Sequence, residues 1–356
     1  QIGQLRRLQT LNISHNNCSG PIPKELFRLT QLTNFSSDLE QLPESVQPQL
    51  THFGKLEKLC LANRGRRKSI PFPDVSRLSK LQRLTVHSFD FTSPAAIVST
   101  ILGRLRYLEK FKMCECLFSG SIPTELYHLT KLRRFELYIW NVRIPHGGIP
   151  SQIGLMRKLE TFVCKGLHVT RLPTELFTLT QLKGLDLESN MLHGRIPSEL
   201  SSLRSLRFLS LFQNKFTGQI PATLFQLTNL ESLRLGGIPL RYSRVAYLSG
   251  IFPTQFGQLT NLKHLTIRYT DHVGIIPTEL GRLVRLKELT ICDTDLTGLI
   301  PVEFQHLTSL KKLSLDSGWF GRETHGSRKD TRRWQEDIVP PVWYRSHNDI
   351  NKNKNK

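Results

Sequence analysis

The chain returns to one pattern about every 24 residues, and no other feature constrains its fold so strongly. Four stretches show the pattern best: Gly194-Arg195-Ile196-Pro197 through Leu209-Ser210-Leu211, Gly218-Gln219-Ile220-Pro221 through Leu233-Arg234-Leu235, Gly274-Ile275-Ile276-Pro277 through Leu289-Thr290-Ile291, and Gly298-Leu299-Ile300-Pro301 through Leu313-Ser314-Leu315. In each, apolar residues fall four, seven and ten positions after the isoleucine, as at Ile276, Leu280, Leu283 and Leu286. That is helix-like spacing over a short span. The pattern then changes to alternation, as at Leu289 and Ile291, which turns every second side chain inward as in a strand. Neither segment can bury its apolar face alone, so neighbouring units must stack and share one continuous core. Thirteen strands are expected, centred on Leu11, Phe35, Leu59, Leu84, Phe111, Phe135, Phe162, Leu185, Leu209, Leu233, Leu265, Leu289 and Leu313. The predicted fold is an α/β solenoid over residues 1–315, a curved repeat array with one parallel concave sheet and helical or irregular segments on the convex side.

The irregular units carry information too. Ser37 follows Phe35 where an inward apolar residue is expected, which predicts a weakly specified second strand. Extra residues fall in His87 to Ala96, in Tyr138 to Gly148 and, with about eight extra, in Gly236 to Gly250, which holds Tyr242 and Tyr247. Insertions in a solenoid map to loops, often on the binding side, and the last is expected to be mobile.

The G-x-I-P element followed by E-L-x-x-L-T-x-L, as in "HGRIPSELSSLRSLRFLSLFQNKFTGQIPATLFQLTNLESLRL", resembles the plant-specific class of leucine-rich repeats. That class occurs in ectodomains of receptor-like kinases and receptor-like proteins, in polygalacturonase inhibitors, and in similar algal and protist proteins. The resemblance implies recognition of a protein or peptide by the concave face and an extracellular or membrane-associated setting. The family asparagine, five residues after the first strand leucine, is kept at Asn16, Asn190 and Asn214, while Cys116, Trp140, Thr270 and Thr294 replace it. Segments such as "LPTELFTLTQLKGLDL" resemble intracellular scaffold repeats, so a cytoplasmic signalling scaffold stays open, as does an inhibitor of a secreted enzyme.

Composition narrows the partners. Against 29 Asp and Glu the chain carries 49 Lys and Arg, a net charge of +20. Such a surface favours acidic proteins or peptides, polyanions and anionic surfaces. The sequence holds no specific nucleic-acid motif and no apolar run long enough to span a bilayer. Gln1 is not an initiator methionine, and the chain reads as an N-terminally truncated fragment. Residues 316–356 leave the repeat, with Trp319, Trp334, Trp343, a Pro340-Pro341 pair and a polar run from Asn351; they are expected to be part cap or linker and part disordered. The six cysteines lack the spacing of a disulfide framework, and Asn12, Asn17 and Asn34 begin glycosylation sequons.

No phosphate loop, nucleophile elbow or metalloprotease signature occurs, so the expectation is a binding protein without a catalytic residue or a cofactor. Asp293-Thr294-Asp295 opens like a calcium loop, but Phe304 stands where a bidentate glutamate is needed. Cys60, His87 and Cys114 point outward from three successive strands and are read as unrelated residues, not metal ligands. The candidate ligand-binding residues flank the inward leucines. Lys58, Arg83, Lys110, Lys112 and Arg134 form a basic part of the face, with Glu136 the one acid among them. Asp186, Glu188, Phe208 and Phe212, with Tyr138 nearby, form an acidic and aromatic part, whose rings are expected to be exposed.

Overall fold

The computed structural model describes residues 2–14, 16, 23–38, 50–63, 72–91, 101–118, 124–139, 148–238 and 247–315. The described residues lie in the first compact unit of the chain, Gln1–Trp319. The expectations for Asn17, Trp140, Tyr242 and the segment from residue 316 onward lie outside the described residues.

The first unit is a curved repeat array built on one parallel sheet of thirteen strands among the described residues. These are Thr10–Asn12, Asn34–Asp38, Lys58–Ala62, Arg83–His87, Lys110–Cys114, Arg134–Tyr138, Thr161–Lys165, Gly184–Asp186, Phe208–Ser210, Ser232–Gly236, His264–Arg268, Glu288–Cys292 and Lys312–Leu315. Their register aligns the inward residues from strand to strand. Leu59 stands opposite Leu84, Leu84 opposite Phe111, Leu209 opposite Leu233 and Leu265 opposite Leu289. Parallel pairing without a shift follows from the repeat, because a one-residue slip turns every inward leucine to solvent. The buried leucines, phenylalanines and isoleucines form one continuous core along the array.

Most segments opposite the sheet among the described residues are 3₁₀ helices, while residues 101–103 are α-helical. The 3₁₀ helices include Thr174–Thr178, Ser198–Ser202, Ala222–Gln226 and Thr278–Arg282, each preceded by an extended proline. The sequence contains the reason: after Ile276 the apolar residues Leu280, Leu283 and Leu286 are three apart, which is the period of a 3₁₀ turn. Leu283 N–H accordingly donates to Leu280 O at 3.0 Å, and Leu286 N–H to Leu283 O at 2.8 Å.

Seven strands leave the sheet through a left-handed residue four positions after the first inward residue: Ser88, Glu115, Ser189, Gln213, Tyr269 and Asp293 have φ between 54° and 59°, and Gly166 has φ 70°. In two units the asparagine that follows closes the turn. Asn190 accepts from the N–H groups of Leu167 and Val169, both at 3.1 Å, and donates to Cys164 O and Leu187 O. Asn214 repeats the arrangement one unit on, with Leu192 N–H, Leu187 O and Leu211 O. Where the asparagine is replaced, Cys116 Sγ donates to Cys114 O at 3.3 Å, a smaller substitute for the same task.

Ser37 turns inward, as its place in the alternation implies, and is fully buried, with its hydroxyl donating to Asp38 O. The expected mobility of residues 239–246 lies outside the described residues. The described flanks of the Gly236 to Gly250 insertion are tied down. Tyr247 donates through its hydroxyl to Ile238 O at 2.8 Å and through its N–H to Asp271 Oδ2 at 3.2 Å. Its ring lies where a Cβ on Gly237 would stand, so the loop's return is packed.

Candidate functional site

Outward residues of the sheet fall into three columns that run across the strands. The first holds Lys58, Arg83, Lys110 and Arg134, which the register places side by side on four successive strands. Strand spacing sets their bases about 4.8 Å apart. None forms an ion pair with an acid among the described residues. Partial burial and then the neighbouring guanidinium groups of Arg83 and Arg134 lower the Lys110 pKa from its ordinary value. Arg83 and Arg134 are exposed, and Lys58 and Lys110 half-buried. Lys112 lies in the next column, its ammonium 5.2 Å from the centroid of the Tyr138 ring.

The acidic and aromatic part is not an open surface. Asp186, Glu188, Tyr138 and Phe212 are all buried, and Phe208 is half-buried. Lys165, overlooked in the sequence, is the cause at Asp186 and Glu188. Its ammonium lies 2.9 Å from Asp186 and 3.0 Å from Glu188, and Glu188 is also held by Arg234 at 2.7 Å. Burial alone lowers the Lys165 pKa, but the two carboxylates outweigh it and hold the ammonium above its ordinary value. Two cations and two anions make this network self-neutralising.

The rings are covered by their neighbours across the strands. Tyr138 packs with Cys114 and Val163 in a small apolar cluster. Phe212 lies under the Arg234 guanidinium, 5.1 Å from the ring centroid, and stacks with Tyr269 at 6.4 Å. Gly236 carries no side chain here, and a Cβ on it would stand 1.8 Å from Arg268 O. The register also separates Cys60, which faces Thr85, from His87, which faces Cys114, so these three share no row.

With this geometry in place, comparison with known proteins shows what the chain is similar to. The Leucine Rich Repeat family model matches residues 7–29, 181–203 and 205–227. Those three matches and the parallel strand array give the chain the architecture of leucine-rich-repeat proteins. Its repeats are similar to those of plant receptors. A plant peptide hormone receptor, RGFR1, solved in complex with RGF2, is 27% identical with a TM-score of 0.62 over 88% of this chain and 52% of that one. A TDR receptor is 26% identical with a TM-score of 0.67, over 87% and 55%. A leucine-rich-repeat protein of the bacterium Leptospira interrogans is 27% identical with a TM-score of 0.68, over 89% and 80%. The chain thus spans about half the length of these two receptor chains. Curated protein sequences give no match.

On this leucine-rich-repeat sheet the structure brings the basic candidates together and folds most of the others into a covered floor beside them. Lys165, Ser210 and Arg234 were missed, although the alternation that exposed Lys58 and Arg83 places all three outward. Ser210 is fully buried between Asp186 and Arg234 in register, with no hydrogen-bond partner for its hydroxyl.

Proposed function

We propose that this leucine-rich-repeat protein recognises a protein or peptide ligand with its concave face, as a receptor-like ectodomain does, and that an acidic segment of the ligand lies along Lys58, Arg83, Lys110 and Arg134. One observation carries the reading: several other charges of the same sheet and its border are paired, but the four cations of this ladder form no ion pair among the described residues. Arg133, Glu160 and Lys183 join across three strands at 2.6 and 2.9 Å, Glu231 joins Lys263 at 2.6 Å, and Lys165 and Arg234 close on Asp186 and Glu188. Four stacked cations are unfavourable by themselves, since like charges directly opposite in a sheet repel. A polyanionic segment relieves that repulsion and returns Lys110 toward its ordinary pKa. The related plant receptor was solved with RGF2, which supports a peptide-sized ligand. The buried Lys165 network contributes a rigid floor beside the ladder and is not itself the contact.

The test titrates the wild-type chain and the double variant Arg83→Glu with Lys110→Glu against a poly-glutamate peptide, with heparin as a second anionic probe. At low salt the double variant should bind at least about tenfold more weakly, and the salt dependence of the wild type should flatten in it. Its melting temperature should stay within a degree or two, because neither side chain belongs to the core. Equal low-salt affinities for the two proteins would show that the ladder is only a solvated face.

A further inference from the structure

The last repeats carry a second, smaller sheet on a face separate from the concave one. Strands Ser249–Ile251, Asp271–Ile275 and Asp295–Thr297 pair in parallel, with Ile251 opposite Val273 and Ile275 opposite Thr297. His272 and Leu296 turn inward and are buried. Here the residue that follows each left-handed glycine overlies the glycine of the next repeat. A Cβ on Gly218 would stand 3.5 Å from Arg195 Cγ, one on Gly250 3.0 Å from Gln219 Cγ, one on Gly274 3.9 Å from Ile251 Cγ2 and one on Gly298 2.9 Å from Ile275 Cγ2. Arg195, Gln219, Ile251 and Ile275 are therefore rungs of one ladder, and Leu299 after Gly298 extends it.

The ladder changes character halfway. Its first two rungs are polar and its last three aliphatic, yet all three lie in solvent: Ile251 is 78% exposed, Ile275 63% and Leu299 86%, with Val273 beside them at 47%. Together they expose on the order of 500 Å² of aliphatic surface, at the upper end for the largest patch of a monomer. An interface of about 800 Å² per partner has room for this stripe as its apolar centre.

Two features point to a second copy of the same chain as the occupant. The aliphatic rungs are symmetric about Ile275, so a two-fold axis there lays Ile275 on itself and Ile251 against Leu299 of the second copy, as an isologous contact requires. Charge also permits the approach at this place. Residues 247–303 hold five Lys and Arg against six Asp and Glu, whereas the whole chain holds 49 against 29. The repulsion that separates two strongly cationic molecules elsewhere is absent here. We propose that the stripe of Ile251, Val273, Ile275 and Leu299 is the contact through which two copies of this chain pair about a two-fold axis near Ile275.

Sedimentation velocity of the full chain over a wide range of concentrations tests this. The wild type should rise reversibly from monomer to dimer mass. The triple variant Ile251→Gln, Ile275→Gln and Leu299→Gln, which installs the side chain that Gln219 already contributes to the same ladder, should stay monomeric with its melting temperature unchanged. Ile275→Cys alone should form a disulfide-linked dimer on mild oxidation, more than the wild type with its own cysteines does. Arg83→Glu with Lys110→Glu should dimerise as the wild type does, which keeps this contact distinct from the concave face. A wild type that stays monomeric throughout, a dimer that the glutamine variant retains, or no gain in cross-linking at Ile275→Cys would each overturn the proposal.

Discussion

Lys165 shows how much one residue can decide on a repeat surface. It sits in an outward position of its strand, yet its side chain is 9% exposed because Asp186 and Glu188 on the neighbouring unit draw it down. The pair is expensive to break from one side. Lys165→Met strands Asp186 as a buried carboxylate without its cation and should cost about 3–5 kcal/mol in urea unfolding. Adding Asp186→Leu should recover a large part of that loss, since an apolar pair replaces the charges while Arg234 continues to hold Glu188. A double variant no more stable than the single one would show that the two charges are not coupled. His272 gives the second test at this scale. Burial pushes its pKa down from 6.5 to about 4, and its ring meets Thr270 Oγ1 at 2.9 Å and the edge of Phe252. Between those two values the unfolded chain binds a proton that the folded chain refuses. Stability from this group is complete above pH 6.5 and is lost as pH falls to 4, by about 3 kcal/mol in all. His272→Phe cannot titrate, so its stability should fall less than that of the wild type over that window. Parallel pH profiles for the two proteins would remove His272 as the cause.

The repeating element was largely readable, and the exceptions have physical explanations. Strand positions and their inward register follow from alternation, because only one face of each strand carries leucine. The helix type was also written in the spacing of Leu280, Leu283 and Leu286, but a span of ten residues satisfies helical periodicity in general before it distinguishes three residues per turn from 3.6. The role of Asn190 and Asn214 was indicated by their position, while the substitute bond from Cys116 was not, since a thiol there has no strong preference of its own. The second strand gives the prediction for this scale. Ser37 faces Leu61 in register, so that unit loses one buried aliphatic side chain, worth about 1.5–3 kcal/mol of burial. Units in a solenoid touch only their neighbours, so the loss stays local. Hydrogen exchange should open the amides of Asn34–Asp38 well before those of Leu185, Leu209 and Leu233. Uniform protection along the sheet would contradict it.

At the scale of the whole molecule, the sequence determined the repeat architecture and the core, and the tertiary structure decided the surface. A 24-residue period with leucines at fixed offsets admits one solution, a stacked array sharing a continuous interior, and thirteen strands form where the alternation placed them. Inward positions are legible because burial acts on each residue in the same way, whatever its neighbours. Outward positions are not, because adjacent strands lie about 4.8 Å apart and a long side chain reaches over them. Whether Asp186 meets solvent depends on Lys165, some 20 residues earlier, and the cover over Phe212 comes from Arg234 and Tyr269 on later repeats. The same holds for Ile251, Ile275 and Leu299. Separated in the sequence by unlike segments, they become one aliphatic stripe only when each rung settles over the next repeat's glycine. Contacts between repeats, which no single repeat encodes, therefore decide which charges are left open, which rings are covered and where the aliphatic surface collects.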